Sequence, residues 1–349
     1  MRLSVLDLVP VRTDQGSGDA VRASIGLVRT ADRLGFNRYW VAEHHNMPSV
    51  AATSPPVLIA MLAAATERIR LGSGGVMLPN HAPLAVAEQF ALLEAAYPGR
   101  IDLGIGRAPG SDPVTSVALR GAAGRDDSDV RLFPQYLDDV VALMGAEGVK
   151  VPVPQTLGRA PYILKATPAA ASVPRLWLLG SSMYSAQLAA EKGLPYVFAH
   201  HFSGHGTAEA LAFYRSHFRP SDVCAEPTTF LTANVAVAPT LEEARDLARP
   251  NAMNMARLRG GLPMQPLALA EDPTDDLPPQ LEAIVASSLR QGGVGEPAAV
   301  AAHLRELAEQ FEVDEVMLHP IASEHVGVAP DAAPARERSL ELLAAELAF

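Results

Sequence analysis

Cysteine, lysine and long apolar runs are all scarce in this chain. Its 349 residues include one cysteine, Cys224, so no intramolecular disulfide can form and disulfide-exchange chemistry lacks a second thiol. Lysine occurs only at Lys150, Lys165 and Lys192, and basic side chains are outnumbered 28 to 39, giving a formal charge of -11. That balance argues against a nucleic-acid or anionic-membrane partner and leaves a small molecule as the expected one. Apolar stretches such as Ser54 to Thr66 are too short to span a bilayer and are bounded by Pro55, Pro56 and Glu67. The opening MRLSVLDLVPVRTD has no apolar h-region with a cleavage site, so a cytoplasmic protein is expected. Several catalytic signatures are also missing. There is no H-E-x-x-H and no G-x-S-x-G, and the run Gly104-Ile-Gly106-Arg-Ala-Pro-Gly110 puts Pro109 where a dinucleotide fingerprint needs its third glycine. The first strand, Leu3 to Leu8, carries no H-x-H pair of the kind metal-dependent barrel hydrolases use, so no metal is expected.

What the chain does have is 48% hydrophobic against 19% charged residues, enough for a full core. Strand and helix signals alternate. Leu3 to Leu8 is β-prone, and Val21, Ile25, Val28 and Leu34 recur at helical spacing before a stop at Gly35. Tyr39 to Ala42 is the next strand. The cycle continues with helix Pro56 to Glu67, strand Ile69 to Gly72, helix Ala82 to Ala96, strand Ile101 to Gly104 and a helix around Leu132 to Met144. A proline-rich, irregular stretch from Val151 to Pro174 interrupts it. Then come strand Leu176 to Leu179, helix Tyr184 to Lys192, strand Tyr196 to Ala199, helix Thr207 to His217 and strand Phe230 to Ala238. Leu241 to Leu247 starts a further helix, and Arg249 to Gly295 reads as a loop-like insertion enclosing only a short helix from Gln280 to Leu289. Helix Pro297 to Phe311, strand Asp314 to Leu318 and helix Ala335 to Ala348 finish the chain. Eight strand-helix units predict a single (β/α)8 TIM barrel over 1–349, an insertion (249–295) preceding its last strand, rather than an open doubly wound sheet.

A barrel of this kind works at the C-terminal ends of its strands. His44 and His45 follow the second strand, His81 lies beyond the third, His200, His201 and His205 follow the sixth, and His319 follows the eighth. Any one of these can be a satisfied structural histidine, but their gathering on one face argues for a site. A second signal is the strand Leu176 to Leu179 running through Gly180-Ser181-Ser182 straight into a helix. Such a junction leaves unpaired N–H groups where a phosphate can accept them, with Ser182 and Ser185 as hydroxyl donors. Simple capping by Ser181 or Ser182 is the bland alternative. Arg107 follows the fourth strand and has the fork that matches phosphate oxygens.

Taken in order, Tyr39-Trp-Val-Ala-Glu-His-His45, Leu71-Gly-Ser-Gly-Gly-Val-Met-Leu-Pro79, Pro98-Gly-Arg-Ile-Asp-Leu-Gly-Ile-Gly-Arg-Ala-Pro-Gly110 and Leu179-Gly-Ser-Ser182 resemble the bacterial luciferase-like flavin-dependent monooxygenases. The resemblance covers most of the chain and is strongest to members found in natural-product biosynthesis. It implies a (β/α)8 barrel holding reduced FMN in its mouth, with the flavin phosphate at Gly180, Ser181, Ser182 and Ser185, beside Leu179, and Arg107 closing on it. It also implies a non-proline cis peptide near Ser73-Gly74, with Met77 close to the ring, His44 as catalytic acid/base and Glu43 as its catalytic neighbour. The implied reaction is oxygen addition to reduced flavin, giving a C4a-(hydro)peroxide that hydroxylates or epoxidises a small organic substrate, an aromatic polyketide among the candidates. Met47, Met77, Tyr136, Trp177 and Phe202 are candidates for its pocket, and Arg249 to Gly295 for a lid. Gly106 stands where luciferase catalytic chains carry a cysteine, which argues against light emission. No reductase sequence is present, so a separate NAD(P)H-dependent flavin reductase is expected as partner, along with the family's homodimer. Two other readings share the barrel: an F420-dependent oxidoreductase, whose longer acidic tail needs more cations than Arg107, Arg159, Lys165 and Arg175 clearly supply, and a non-catalytic flavin-binding protein, which needs no Glu43-His44-His45.

Overall fold

A computed structural model describes residues 1–108, 112–121, 124, 128–151, 162–168, 170–272 and 277–347. Eight strands close into one parallel ring: β1 (Arg2–Asp7), β2 (Arg38–Val41), β3 (Arg70–Ser73), β4 (Ile101–Gly106), β5 (Arg175–Gly180), β6 (Tyr196–Phe198), β7 (Thr229–Val237) and β8 (Glu315–Pro320). Each pairs with its neighbour in sequence, and β8 returns to β1 with Val316 opposite Leu3. The helices that follow them are α1 (Ser17–Leu34), α2 (Pro55–Ala64), α3 (Pro83–Ala96), α4 (Phe133–Met144), α5 (Met183–Lys192), α6 (Thr207–His217), α7 (Leu241–Arg259) and α8 (Pro334–Leu347). This is the (β/α)8 barrel that the alternation predicts.

The strands are apolar on both faces because both are covered. On β1, Leu3 and Val5 pack outward into the main core with the helices, while Leu6 points inward among Trp40, Trp177, Val197, Phe230 and Met317. The N-terminal end of the barrel is plugged by Arg38. Its guanidinium bonds Asp102 at 2.8 Å and Glu315 at 2.7 Å and lies 4.7 Å from the Trp177 ring centroid. Both carboxylates have further donors in Trp40, Arg70, Ser4 and Asn37, so this buried charge cluster is fully partnered. Around the outside, Arg336 of α8 reaches the buried Asp7 of β1, which also accepts from Ser24 of α1 and Tyr39 of β2.

Two departures from the sequence reading stand out. The chain does not turn loop-like at Arg249: α7 runs on through Pro250 to Arg259, and its Ala252, Met253 and Ala256 pack on Leu281 and Val285 of a second helix, Pro279–Ser288. Packing of that apolar stripe outweighs the helix-breaking tendency of one proline. Leu267 ties the insertion to the loop after β1 through two backbone bonds of 2.8 Å with Val11 and Thr13. The irregular stretch, in turn, contains a strand, Tyr162–Leu164, that pairs antiparallel with Val149–Val151 at its start, and 152–161, including Arg159, lie outside the described residues. So do 109–111, with Pro109 and Gly110.

Candidate functional site

The ladder between β3 and β4 is interrupted near the mouth. Leu71 and Gly72 pair with Ile101 and Asp102, and pairing resumes only at Val76 and Met77 with Ile105 and Gly106. Between them the chain makes a cis peptide, Gly74–Gly75. This corrects the expected position, Ser73–Gly74, by one bond. Glycine is required beside that bond: a Cβ on Gly75 would lie 2.5 Å from Leu179 Cδ1 and 2.8 Å from the Gly104 carbonyl. Ser73 is fully buried and patches the gap, its Oγ donating to the Gly104 carbonyl at 2.8 Å and accepting from the Gly104 N–H at 3.0 Å. Its hydroxyl therefore serves the sheet, and it is Gly74 that borders the mouth cavity.

Glu43 follows β2 and is fully buried. Its Oε1 accepts from His45 Nε2 and from His81 Nε2, both at 2.8 Å, and its Oε2 accepts from the Met77 N–H at 3.0 Å. Burial pulls this carboxyl up, but the three donors together hold it below the ordinary range. With both oxygens engaged, Glu43 fixes the loop after β2 to the bulge after β3. Its geometry is that of a positioning residue rather than a proton-transfer group.

His44, beside it, turns the other way and lines an apolar cavity of about 130 Å³ at the centre of the mouth. Its Nδ1 is buried without a partner, and burial pushes its pKa down despite the pull of the Glu43 charge. Met47 and Phe202 border the same cavity, Leu6 and Leu8 form its floor, and Met255, Leu258 and Met264 of the insertion form its roof. Of the other side chains expected to line a pocket, Trp177 lies deeper in the barrel and Tyr136 bonds Asp129 at 2.9 Å on the outer helices. Met77 contributes its N–H to Glu43 instead.

At β5 the strand ends at Gly180 and α5 begins at Met183. Ser182 is extended, at φ -145°, and its side chain makes no capping bond, so the first N–H groups of the helix stay open. Ser181 and Ser182 are exposed; Ser185 is buried and donates to the Ser182 carbonyl at 2.9 Å. A Cβ on Gly180 would fall 2.1 Å from Ser185 Oγ, so glycine is required for the strand to pass this close. Arg107 stacks 4.1 Å from the Tyr184 ring centroid, which brings its guanidinium to the same helix end, and it forms no ion pair among the described residues. Tyr184 was not foreseen, nor were Thr232 and Asn234. The last two had a signal: they are the polar members of one alternating face in the otherwise apolar strand Phe230 to Ala238.

The remaining histidines divide. His201 and His319 line the mouth cavity with His44, whereas His200 bonds Thr207 at 2.9 Å beside a second cavity of about 280 Å³ that shares Asn234 and Met255 with the first. Among the described residues no three His, Cys, Asp or Glu side chains converge to hold a metal ion, and no helix is long and apolar enough to cross a membrane.

Comparison with known proteins gives this architecture relatives. A family model described as luciferase-like monooxygenase matches residues 1–315. A luciferase-like monooxygenase of Escherichia coli K12 is 38% identical over 333 residues, covering 92% of each chain. Among solved structures, apo-MsnO8 superimposes with a TM-score of 0.79 at 32% identity, over 99% of this chain and 98% of that one. The oxygenating constituent of 3,6-diketocamphane monooxygenase from the CAM plasmid of Pseudomonas putida, solved with FMN, matches with a TM-score of 0.72 over 100% and 98%. Its 19% identity speaks for the fold alone.

Proposed function

The chain belongs to the luciferase-like monooxygenase family, and from that premise we propose an FMNH2-dependent monooxygenase acting on a small organic substrate. What carries this reading is one arrangement: an uncapped helix N-terminus with an arginine that has no ion pair among the described residues on one side of the mouth, and a buried neutral histidine facing an apolar cavity at its centre. The residues fit FMN. The N–H groups at Ser182 and Met183, the hydroxyls of Ser181 and Ser182 and the Arg107 guanidinium would hold its phosphate, with Gly180 and the buried Ser185 shaping the turn. Gly74 and Gly75 present bare backbone to a flat ring, with Leu179 and Met77 at its margin. When bound, the reduced flavin supplies the two electrons that activate dioxygen, one oxygen atom passing to the substrate and the other leaving as water.

The protein's part is a hydrogen-bond donor and a dry pocket. With Nδ1 of His44 buried and unpartnered, the neutral ring carries its proton on Nε2, because an orphaned buried acceptor is tolerated more readily than an orphaned N–H. His44 thus presents an N–H hydrogen-bond donor to the cavity, while Glu43, His45 and His81 keep its loop in place. Met255, Leu258 and Met264 exclude water from above. Reduced flavin would arrive from a separate NAD(P)H-dependent flavin reductase. A homodimer would form through the outer faces of α2 and α3, where Val57, Met61 and Leu92 are exposed, and sedimentation velocity would detect it.

The test is rapid mixing of the protein and photoreduced FMN with oxygenated buffer, followed by absorbance. Wild type is expected to give a transient longer-lived than free flavin does, and His44→Ala to lower oxygenation by about 10² to 10³-fold. No transient, together with tight binding of F420, would overturn the proposal in favour of hydride transfer. The cations offered to an F420 tail argue against that outcome. Arg175 opens β5 at the far end of the barrel, and Lys165 donates to the Ala146 carbonyl beyond α4, away from the mouth.

A further inference from the structure

The arc of the mouth formed by β6, β7 and β8 starts beside β5 and runs round the ring away from Arg107 and Ser182, and its polar groups are not engaged by the flavin site proposed above. His201 follows β6, Thr232 and Asn234 point inward from β7, and His319 lies on β8. The hydrogen bonds among them bear on which nitrogen of each ring carries a proton. Asn234 donates its amide N–H to the His201 carbonyl at 2.7 Å, so its Oδ1 faces His319 and accepts from Nδ1 at 2.8 Å. The Thr232 oxygen accepts from the His201 backbone N–H at 3.3 Å, and its one hydrogen has two acceptors in reach, the Phe198 carbonyl at 3.3 Å and His201 Nδ1 at 2.8 Å. His319 therefore holds its proton on Nδ1 and presents a bare Nε2, and His201 does the same when Thr232 donates to Phe198, the arrangement proposed below. The two rings meet edge-on, centroids 5.7 Å apart, and both border the apolar cavity that His44 faces. Among the described residues neither Nε2 has a protein partner.

Burial, reinforced by each ring's histidine neighbours, pushes His201 down to about 4 and His319 down to about 3, so both stay neutral acceptors through the physiological range. Two such acceptors repel a carbonyl or carboxylate and reward a donor. Two rings without a converging third ligand do not complete a tetrahedral metal site. We propose that His201 and His319 form a paired hydrogen-bond acceptor that selects substrates bearing a hydroxyl group, alcoholic or phenolic, on the β6–β8 side of the mouth. Calling that ligand a substrate rests on the oxygenase reading; the recognition itself does not.

The experiment compares 4-methylphenol with its methyl ether by calorimetry on the full chain at neutral pH, in wild type, His201→Phe and His319→Phe. Wild type is expected to prefer the phenol by about tenfold or more, and each variant to weaken phenol binding and bring the ratio towards one while the ether is retained. Equal affinities in wild type, or a preference that both variants keep, overturn the proposal. Long-range ¹⁵N–¹H NMR of the wild-type histidines gives an independent reading that no unfolding of a variant can confuse. Both rings should be protonated at Nδ1 and bare at Nε2 at pH 6 and 7, and an Nε2-protonated ring at either position defeats the proposal. Neither measurement uses flavin or turnover, so its failure is distinct from failure of the oxygenase reading.

Discussion

Glu43 has no exposed surface, yet it carries a charge next to His44. Its carboxylate is stabilised by three donors drawn from the loop after β2, from the bulge after β3 and from the turn leading to α3. Replacing it by Gln turns an amide against one of those donors and leaves a buried polar group unpaired. Glu43→Gln is expected to lose about 1 to 3 kcal/mol in urea unfolding. The sign with pH follows from a folded pKa below the ordinary value of 4.5: the wild-type advantage is full above that value and is lost as pH falls through the folded one. An unchanged unfolding midpoint at pH 7 would remove Glu43 from its positioning role. The Glu-His-His run was readable in the sequence, and so was its location after a strand. The division of labour was not, because it depends on His81 and Met77, which lie more than 30 residues away on another strand's loop.

At the scale of elements, the β3–β4 junction shows how a strand can open its end to a site without unravelling. The ladder breaks at Gly74–Gly75, and Ser73 supplies with one hydroxyl both the donor and the acceptor that Gly104 lacks. Ser73→Ala would leave that N–H and carbonyl unsatisfied in a buried sheet, at a cost of about 1 to 3 kcal/mol by chemical denaturation. A variant as stable as wild type would show that the break is held by packing alone. The insertion teaches a related point. Proline at 250 and the Gly, Pro and Leu run after Arg259 suggest loop, but Ala252, Met253 and Ala256 recur at helical spacing and find Leu281 and Val285 to cover them. Propensity is worth about 3 kcal/mol at one proline, and a buried apolar stripe of several residues exceeds it.

For the whole molecule, closing the ring around a polar mouth has a thermodynamic signature. His201 and His319 are buried neutral at about 4 and about 3 in the fold but titrate at 6.5 when exposed, so below 6.5 the unfolded chain binds protons that the folded one refuses. Each group lowers stability by about 1.4 kcal/mol per pH unit as pH falls from there towards its folded value. Glu324 opposes this: burial raises it to about 7 from 4.5, so its contribution falls as pH rises through that interval. Two strongly shifted histidines outweigh one carboxyl, and stability should rise from pH 4.5 to 6.5. Denaturation curves across that range are expected to show this slope in wild type and to lose it, with Glu324 now turning the sign the other way, in a His201→Phe, His319→Phe double variant. A wild-type profile that is flat or inverted would mean the rings are charged in the fold.

Local rules determined the order and kind of the elements. Apolar residues on both faces of short strands, helical spacing between them and glycine stops are properties of neighbours in sequence, and eight repetitions leave few ways to close. The Gly180-Ser181-Ser182 junction and the cluster of histidines at strand ends were visible for the same reason. Tertiary structure alone decided the rest: that the cis peptide follows Gly74, that Arg107 reaches α5 by stacking on Tyr184, and that Asn234 sets which nitrogen of His319 is bare. Each of these depends on groups that the barrel brings together from distant strands, and a hydrogen bond's direction is fixed by its partner, which the chain near the histidine does not contain.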